Sequence, residues 1–147
     1  MIIDLNWNKE FAKEREGTVL HDNGNHKVYK CPAGYLTAGW GHNLDAHGVL
    51  NATAEEWLRQ DLAAAQREVS KNVDAWDKLN APRKSVLIDM VFNMGWPTLS
   101  KFKKFLAALD NEDYEKAAIE MEDSKWFKQV GIRAEMLQSI MLSGEYP

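Results

Sequence analysis

The chain carries one cysteine and four prolines in 147 residues. A single thiol cannot build an internal disulfide framework or a cysteine-based zinc cluster, so Cys31 is either inert or used for its own chemistry. Long apolar runs are missing too. No stretch approaches the roughly 20 residues of a membrane span, and the opening MIIDLNWNKEFAKEREG holds no signal-peptide core. A soluble species made in the cytoplasm is expected. Positive charge is in the minority, 18 Lys and Arg against 22 Asp and Glu, and forms no basic block. This speaks against a nucleic-acid footprint and against stable membrane anchoring. Internal repeats, low-complexity tracts and flexible linkers are absent as well.

What is present suits a globular protein. Apolar residues make up 45% and charged residues 27%, enough for one well-buried domain or two small lobes sharing a helix. Six tryptophans, at positions 7, 40, 57, 76, 96 and 126, are many for this length. Aromatic faces suit carbohydrate, but most of the six are expected in the core.

The front and back of the chain differ. Residues 5 to 16 read as a short helix with Phe11 and Ala12 inward, stopped by Gly17. From Thr18 to Val49 glycines are dense and apolar runs short, and Tyr35 to Trp40 suits a strand in a hairpin or three-stranded sheet. Thr53-Ala54-Glu55-Glu56 matches a capping box, opening a long helix with Leu58, Leu62, Ala65 and Val69 on one face. The back is helical throughout. Asn80 and Pro82 start a helix that is apolar almost all round from Val86 to Met94 and stops at Gly95 and Pro97. A helix near Thr98 or Ser100 then inserts Phe102, Phe105, Leu106 and Leu109. Tyr114, Ala117, Ala118 and Met121 mark another, and a last one runs from about Ile132 to Leu142, ending at Gly144. The expected fold class is α+β and mostly helical. A front lobe, about 17–52, leads through a bridging helix, about 53–71, to a helical lobe, about 72–147, which the N-terminal helix joins. A cleft between the lobes is the expected ligand site.

Glu16-Gly17 and the segment YKCPAGYLTAGWGHNL, from Tyr29 to Leu44, carry the chemistry. Glycoside cleavage needs an acid to protonate the leaving oxygen and a second group to activate water or attack the sugar from the other side. Glu16 is the candidate acid, since a carboxyl at a helix C-terminus faces the negative end of the dipole and tends to keep its proton. Cys31 and Thr37 are the candidates to converge on it, Thr37 by holding the attacking water. Asp89 stands alone in an apolar helix and must find donors or face the cleft.

Four segments in this order, Glu16-Gly17, YKCPAGYLTAGWGH, RKSVLIDMVFNMG from Arg83 and WFKQVGIR from Trp126, resemble the phage-type lysozymes, glycoside hydrolase family 24. The resemblance spans about residues 5 to 146. It implies a two-lobed lysozyme-like domain and a muramidase cutting the β-1,4 bond between N-acetylmuramic acid and N-acetylglucosamine. It also implies an endolysin that lyses its host, is released through a holin and acts on peptidoglycan glycan strands without cofactor or metal. Its known pattern places the catalytic glutamate at Glu16 and the threonine at Thr37. Arg133 matches an arginine expected beside Glu16, and His42 matches a histidine expected to pair with Asp61. Asn93 matches a substrate-contacting position; Asp22 and Gly39 are further candidates for substrate contact.

Cys31 departs from the family members that carry aspartate there. A thiol is mostly protonated at pH 7 unless its pKa is lowered. Cys31 therefore either activates the water, acts as nucleophile, or only shapes the turn while Thr37 holds the water and Asp22 supplies charge. The insert Thr18 to Lys27 is longer than in short members and is expected to cover the cleft. Its His21 and His26, with Cys31, lack a fourth ligand for zinc. A monomer is expected. Rival readings are a lytic transglycosylase, a wall cysteine peptidase using Cys31 with His42, and an inactive peptidoglycan-binding homologue.

Overall fold

The computed structural model describes residue 3 and residues 5–147. It falls into two compact units, Met1–Ala54 and Glu55–Pro147. The fold is α+β, with helices far outweighing one small sheet.

In the first unit, helix α1 (Asn6–Glu16) ends where Gly17, at φ 71°, donates its N–H to the Lys13 carbonyl. That is the expected stop. Phe11 and Ala12 do not point inward: no residue of α1 is buried, and Phe11 stacks on Trp7 at 4.9 Å along the helix's own surface. Residues 18–27 fold back on themselves. Lys27 N–H bonds the Val19 carbonyl, Leu20 bridges His26, and His21 N–H bonds the Asn25 carbonyl around a turn at Gly24. Three short antiparallel strands follow: β1 (Tyr29–Lys30), β2 (Leu36–Ala38) and β3 (His42–Asn43), in that order across the sheet. Tyr29 faces Thr37, and Thr37 faces Asn43. The strand expected over residues 35–40 is shorter because Gly39 and Gly41, at φ 64° and 84°, turn the chain. Asn43 caps the one-turn helix α2 (Leu44–His47), and Asp45 of that helix accepts from the Leu36 N–H at 2.7 Å, tying it to β2.

Helix α3 (Asn51–Asn72) starts two residues before the expected cap at Thr53. Glu56 does not reach back. It binds Arg59 and Gln60 within its own helix, and chiefly the hydrogen bond from Arg59 holds its carboxyl down to about 2. Ala65 and Val69 are buried as expected, while Leu58 is exposed and Leu62 half-buried.

The second unit holds the core. Asn80 caps α4 (Ala81–Met94) through the Arg83 N–H, Pro82 sits in the first turn, and Gly95 ends it. Val86, Leu87, Met90 and Val91 bury the inner face. Pro97 does not end helical structure, since it fits the first turn of the short α5 (Trp96–Leu99), where a missing N–H costs nothing. The helix expected at Thr98 or Ser100 accordingly begins later, as α6 (Lys103–Asp110), and buries Phe105, Ala108 and Leu109. Phe102 and Leu106 are only half-buried. Helix α7 (Tyr114–Glu122) buries Ala117, Ala118 and Met121. The unanticipated α8 (Lys125–Val130), capped by Ser124, precedes α9 (Ile132–Ser143), which closes at a left-handed Gly144. Of the tryptophans only Trp126 is buried; Trp76 and Trp96 pack half-buried on the core, and Trp7, Trp40 and Trp57 are exposed. Half of the indoles therefore lie away from the core, more than composition suggested.

Candidate active site

Glu16 is the last residue of α1, and the seat of its carboxylate is Gly41. A Cβ added to Gly41 would lie 3.0 Å from Glu16 Cδ and 3.2 Å from each carboxylate oxygen. Any larger residue would have to push the carboxylate back by a few tenths of an ångström, and the φ of 84° itself favours glycine. Gly41 was not singled out from the sequence, where Gly39 stood in its place. No added Cβ at Gly39 would meet anything within 4 Å. The signal was present in the alternating GWG triplet, but nothing in a sequence says which glycine backs a carboxylate ten or more residues away along a different element.

Strand β2 carries Thr37, the one buried polar residue among those described, at 3% exposure. Four residues further along the same chain stands Gly41, so Thr37 and the Glu16 seat belong to one short stretch of backbone. Cys31 sits at the start of the loop that enters β2. Its N–H bonds the Tyr35 carbonyl at 3.0 Å and its carbonyl accepts from Gly34 at 2.8 Å. Pro32 presets the turn, and Gly34 at φ 87° closes it. The backbone N–H of Tyr35, foremost, holds the thiol below its ordinary value; desolvation opposes this, and Ala33, the Thr37 hydroxyl and Gly34 add to the lowering. The Thr37 hydroxyl has a single proton to share. It donates to the Tyr35 carbonyl at 2.9 Å, and it can turn to the sulfur once a thiolate forms. Cys31 and Thr37 are thus brought together.

Asp22 lies exposed in the turn of the 18–27 hairpin. His42 opens β3, and its Nε2 contacts the Gly48 carbonyl at 2.7 Å, a partner within its own unit. Among the described residues no three His, Cys, Asp or Glu side chains gather in a group able to hold a metal ion.

The second unit holds the remaining candidates. Asp89 finds its donors in Arg133, which binds it in a two-pronged pair at 2.8 and 2.7 Å. The hydrogen bond it donates to Asp89 raises the guanidinium's already high pKa further. This pairing was not anticipated, although an unpartnered aspartate on an apolar helix was its signal. Asn93, exposed near the end of α4, accepts from Trp126 Nε1 at 2.9 Å, and both line a cavity of about 380 Å³ with Met94 and Gln129. Asp61, on α3, lines a shallower cavity with Glu68 and Phe92.

The family model for phage lysozyme matches residues 16–140. The chain is 36% identical, over 163 aligned positions, to the pre-baseplate central spike protein Gp5 of Enterobacteria phage T4, covering 92% of this chain and 27% of that protein. It is also 36% identical over 165 positions to the probable T4-type lysozyme 2 of Dictyostelium discoideum, covering 92% of this chain and 94% of the relative. A second Dictyostelium discoideum relative, probable T4-type lysozyme 1, is 25% identical with the same coverage. The chain therefore spans about a quarter of the spike protein and nearly all of the two others. The matched span opens at Glu16 and takes in Cys31, Thr37, Asn93 and Arg133, and the chain belongs to the phage lysozyme family of glycoside hydrolases.

Proposed function

We propose that this chain is a muramidase that hydrolyses the β-1,4 bond between N-acetylmuramic acid and N-acetylglucosamine in peptidoglycan, and that it serves as an endolysin. The observation that carries the reading is the seat of Glu16: a helix-terminal carboxylate held against Gly41, in the same unit as the Cys31–Thr37 loop. Glu16 protonates the leaving glycosidic oxygen. Thr37 and Cys31 serve the other side of the sugar, Thr37 positioning water and Cys31 either activating it or attacking the anomeric carbon as a thiolate. A thiol held below its ordinary value supports a chemical part for Cys31 over a purely structural one. Family membership supports the rest of the assignment. Arg133, His42 and Asp61 are supporting residues, Asn93, Asp22 and Gly39 contact substrate, and the whole chain is one lysozyme-like catalytic domain. As an endolysin the protein is made in the cytoplasm of the bacterial host and reaches the wall after holin-type release.

Digestion of purified peptidoglycan by the wild type and by Glu16→Gln, with mass spectrometry of the new chain ends, tests this. New reducing muramic acid ends from the wild type only are expected, with the variant down by at least about a hundredfold, in the range that general acid catalysis contributes. Anhydro ends would make the protein a transglycosylase, and free amines a peptidase. No product from either protein would leave a binding homologue.

A further inference from the structure

We infer that Trp40 is a positioning residue for Glu16, an assignment that deepens the muramidase reading and rests on it. Trp40 precedes Gly41, the residue that seats the carboxylate. Its indole touches the chain on both sides of Glu16. Lys13, three residues earlier on α1, places its Nζ over the ring at 4.9 Å from the centroid. Thr18, two residues later, accepts a hydrogen bond from Nε1 through its Oγ1 at 3.1 Å.

A third contact ties in the insert. His26 packs its ring edge-on against Trp40 with centroids 4.6 Å apart, and Leu20 bridges His26 across the hairpin. The His26 Nδ1 is buried without a hydrogen-bond partner among the described residues. Such an atom is costly to bury, so ring packing on Trp40, and not polar bonding of that nitrogen, holds the imidazole in place.

One indole thus joins the end of α1, the residue past its stop, the 18–27 hairpin and the turn between β2 and β3. The consequence is geometric. Held on both sides of Glu16, the end of α1 is oriented by Trp40, which so sets where the Glu16 carboxylate meets Gly41. An acid displaced by about 1 Å loses on the order of a hundredfold in rate without any change in what it is.

The test is steady-state kinetics on soluble peptidoglycan fragments for Trp40→Phe, Trp40→Ala, Thr18→Val, the Thr18→Val/Trp40→Phe double variant and Glu16→Gln. Thr18→Val and Trp40→Phe each remove the same hydrogen bond, the first keeping the side chain's shape and the second keeping an aromatic ring, so each is expected to lower kcat several-fold. The double variant should be no slower than the slower single variant, as for two ends of one bond. Trp40→Ala, which removes all three contacts, is expected to lose about a hundredfold in kcat with KM within about twofold. Phenylalanine restores most of that loss. Wild-type kcat in folded Trp40→Ala overturns the inference, and so does a rise in KM at constant kcat, which would make the indole a sugar platform. If the alanine variant fails to fold, additive losses from Thr18→Val and Trp40→Phe, or no loss from either, overturn it. Full activity in Glu16→Gln would instead sink the assignment of the acid and this inference with it. An inactive Glu16→Gln beside normal Trp40 variants sinks this inference alone.

Discussion

Cys31 shows how one residue's chemistry is set by its immediate backbone. Its turn points N–H groups at the sulfur, Tyr35 foremost, and the hydroxyl of Thr37 stands ready to join them. Because these donors favour the charged form, the folded thiol ionises at lower pH than in the unfolded chain. The sign of the linkage follows. Stability tied to this group is present above the unfolded value and fades as pH falls through the folded one. The rate of iodoacetamide alkylation of the native protein, followed against pH, should therefore show a midpoint below the roughly 8.5 of an ordinary cysteine. Thr37→Val should move that midpoint upward, by less than unfolding in urea does. A native midpoint at or above the unfolded one would show that the loop does not stabilise a thiolate, and would return Cys31 to a turn-shaping part.

At the scale of elements, helix ends are where sequence and structure meet most directly. Gly144 ends α9 in the left-handed region at φ 73°, and a Cβ there would lie 2.8 Å from Nη1 of Arg83. That guanidinium cannot easily give way: it donates to the carbonyls of Met141 and Leu142 and stacks on Tyr114 at 3.6 Å. Gly131, at φ 58°, has nothing within 4 Å of its missing Cβ. Gly144→Ala should cost the strain of a left-handed alanine, about 1 kcal/mol, plus disruption of the Arg83 latch, about 2–3 kcal/mol in all, whereas Gly131→Ala, at ψ −123° outside the left-handed basin, should cost backbone strain alone, about 1–3 kcal/mol. Urea titration of Gly144→Ala checks this; a loss of about 1 kcal/mol, the left-handed strain alone, would mean the latch does not matter. The same logic explains what could be read beforehand. Asn80, Pro82 and Gly95 bracket α4 because capping and φ preferences act within a few residues, and Ala117, Ala118 and Met121 mark α7 because a buried face repeats at helical spacing. The misses are of another kind. Strands of two or three residues are too short for periodicity to show, α8 is a single capped turn and a half, and the start of α3 ignores a valid capping box. In the candidate site, Glu16, Cys31 and Thr37 stand out in the sequence because their chemistry lies in their side chains. The Gly41 seat, the Trp40 contacts and the Asp89–Arg133 pair depend on which segments meet in space, which local rules do not encode.

Across the whole molecule, burial is divided unevenly between the two units. The fully buried apolar side chains described, among them Leu87, Met90, Leu99, Phe105, Leu109, Met121 and Met141, all belong to Glu55–Pro147. In Met1–Ala54 the only described residue that is fully buried is Thr37. A unit of that size holding little apolar surface away from water has little to set against the entropy of ordering its chain. It is kept in shape by turns, single hydrogen bonds and the contacts of Trp40. Yet it carries Glu16, Cys31 and Thr37. Site-bearing segments are commonly drawn from the low-stability end of a fold, and local opening costs less there than global unfolding. Hydrogen exchange followed by mass spectrometry should find the amides of α4 and α9 exchanging only through global unfolding, and those of the 18–27 hairpin and β1–β3 exchanging through much smaller openings. Activity should accordingly fade in urea before the helical circular dichroism signal does, because the second unit supplies most of that signal and the first carries the proposed acid. Equal protection in both units, with activity and helicity lost together, would show that the first unit draws its stability from the second and that the two unfold as one.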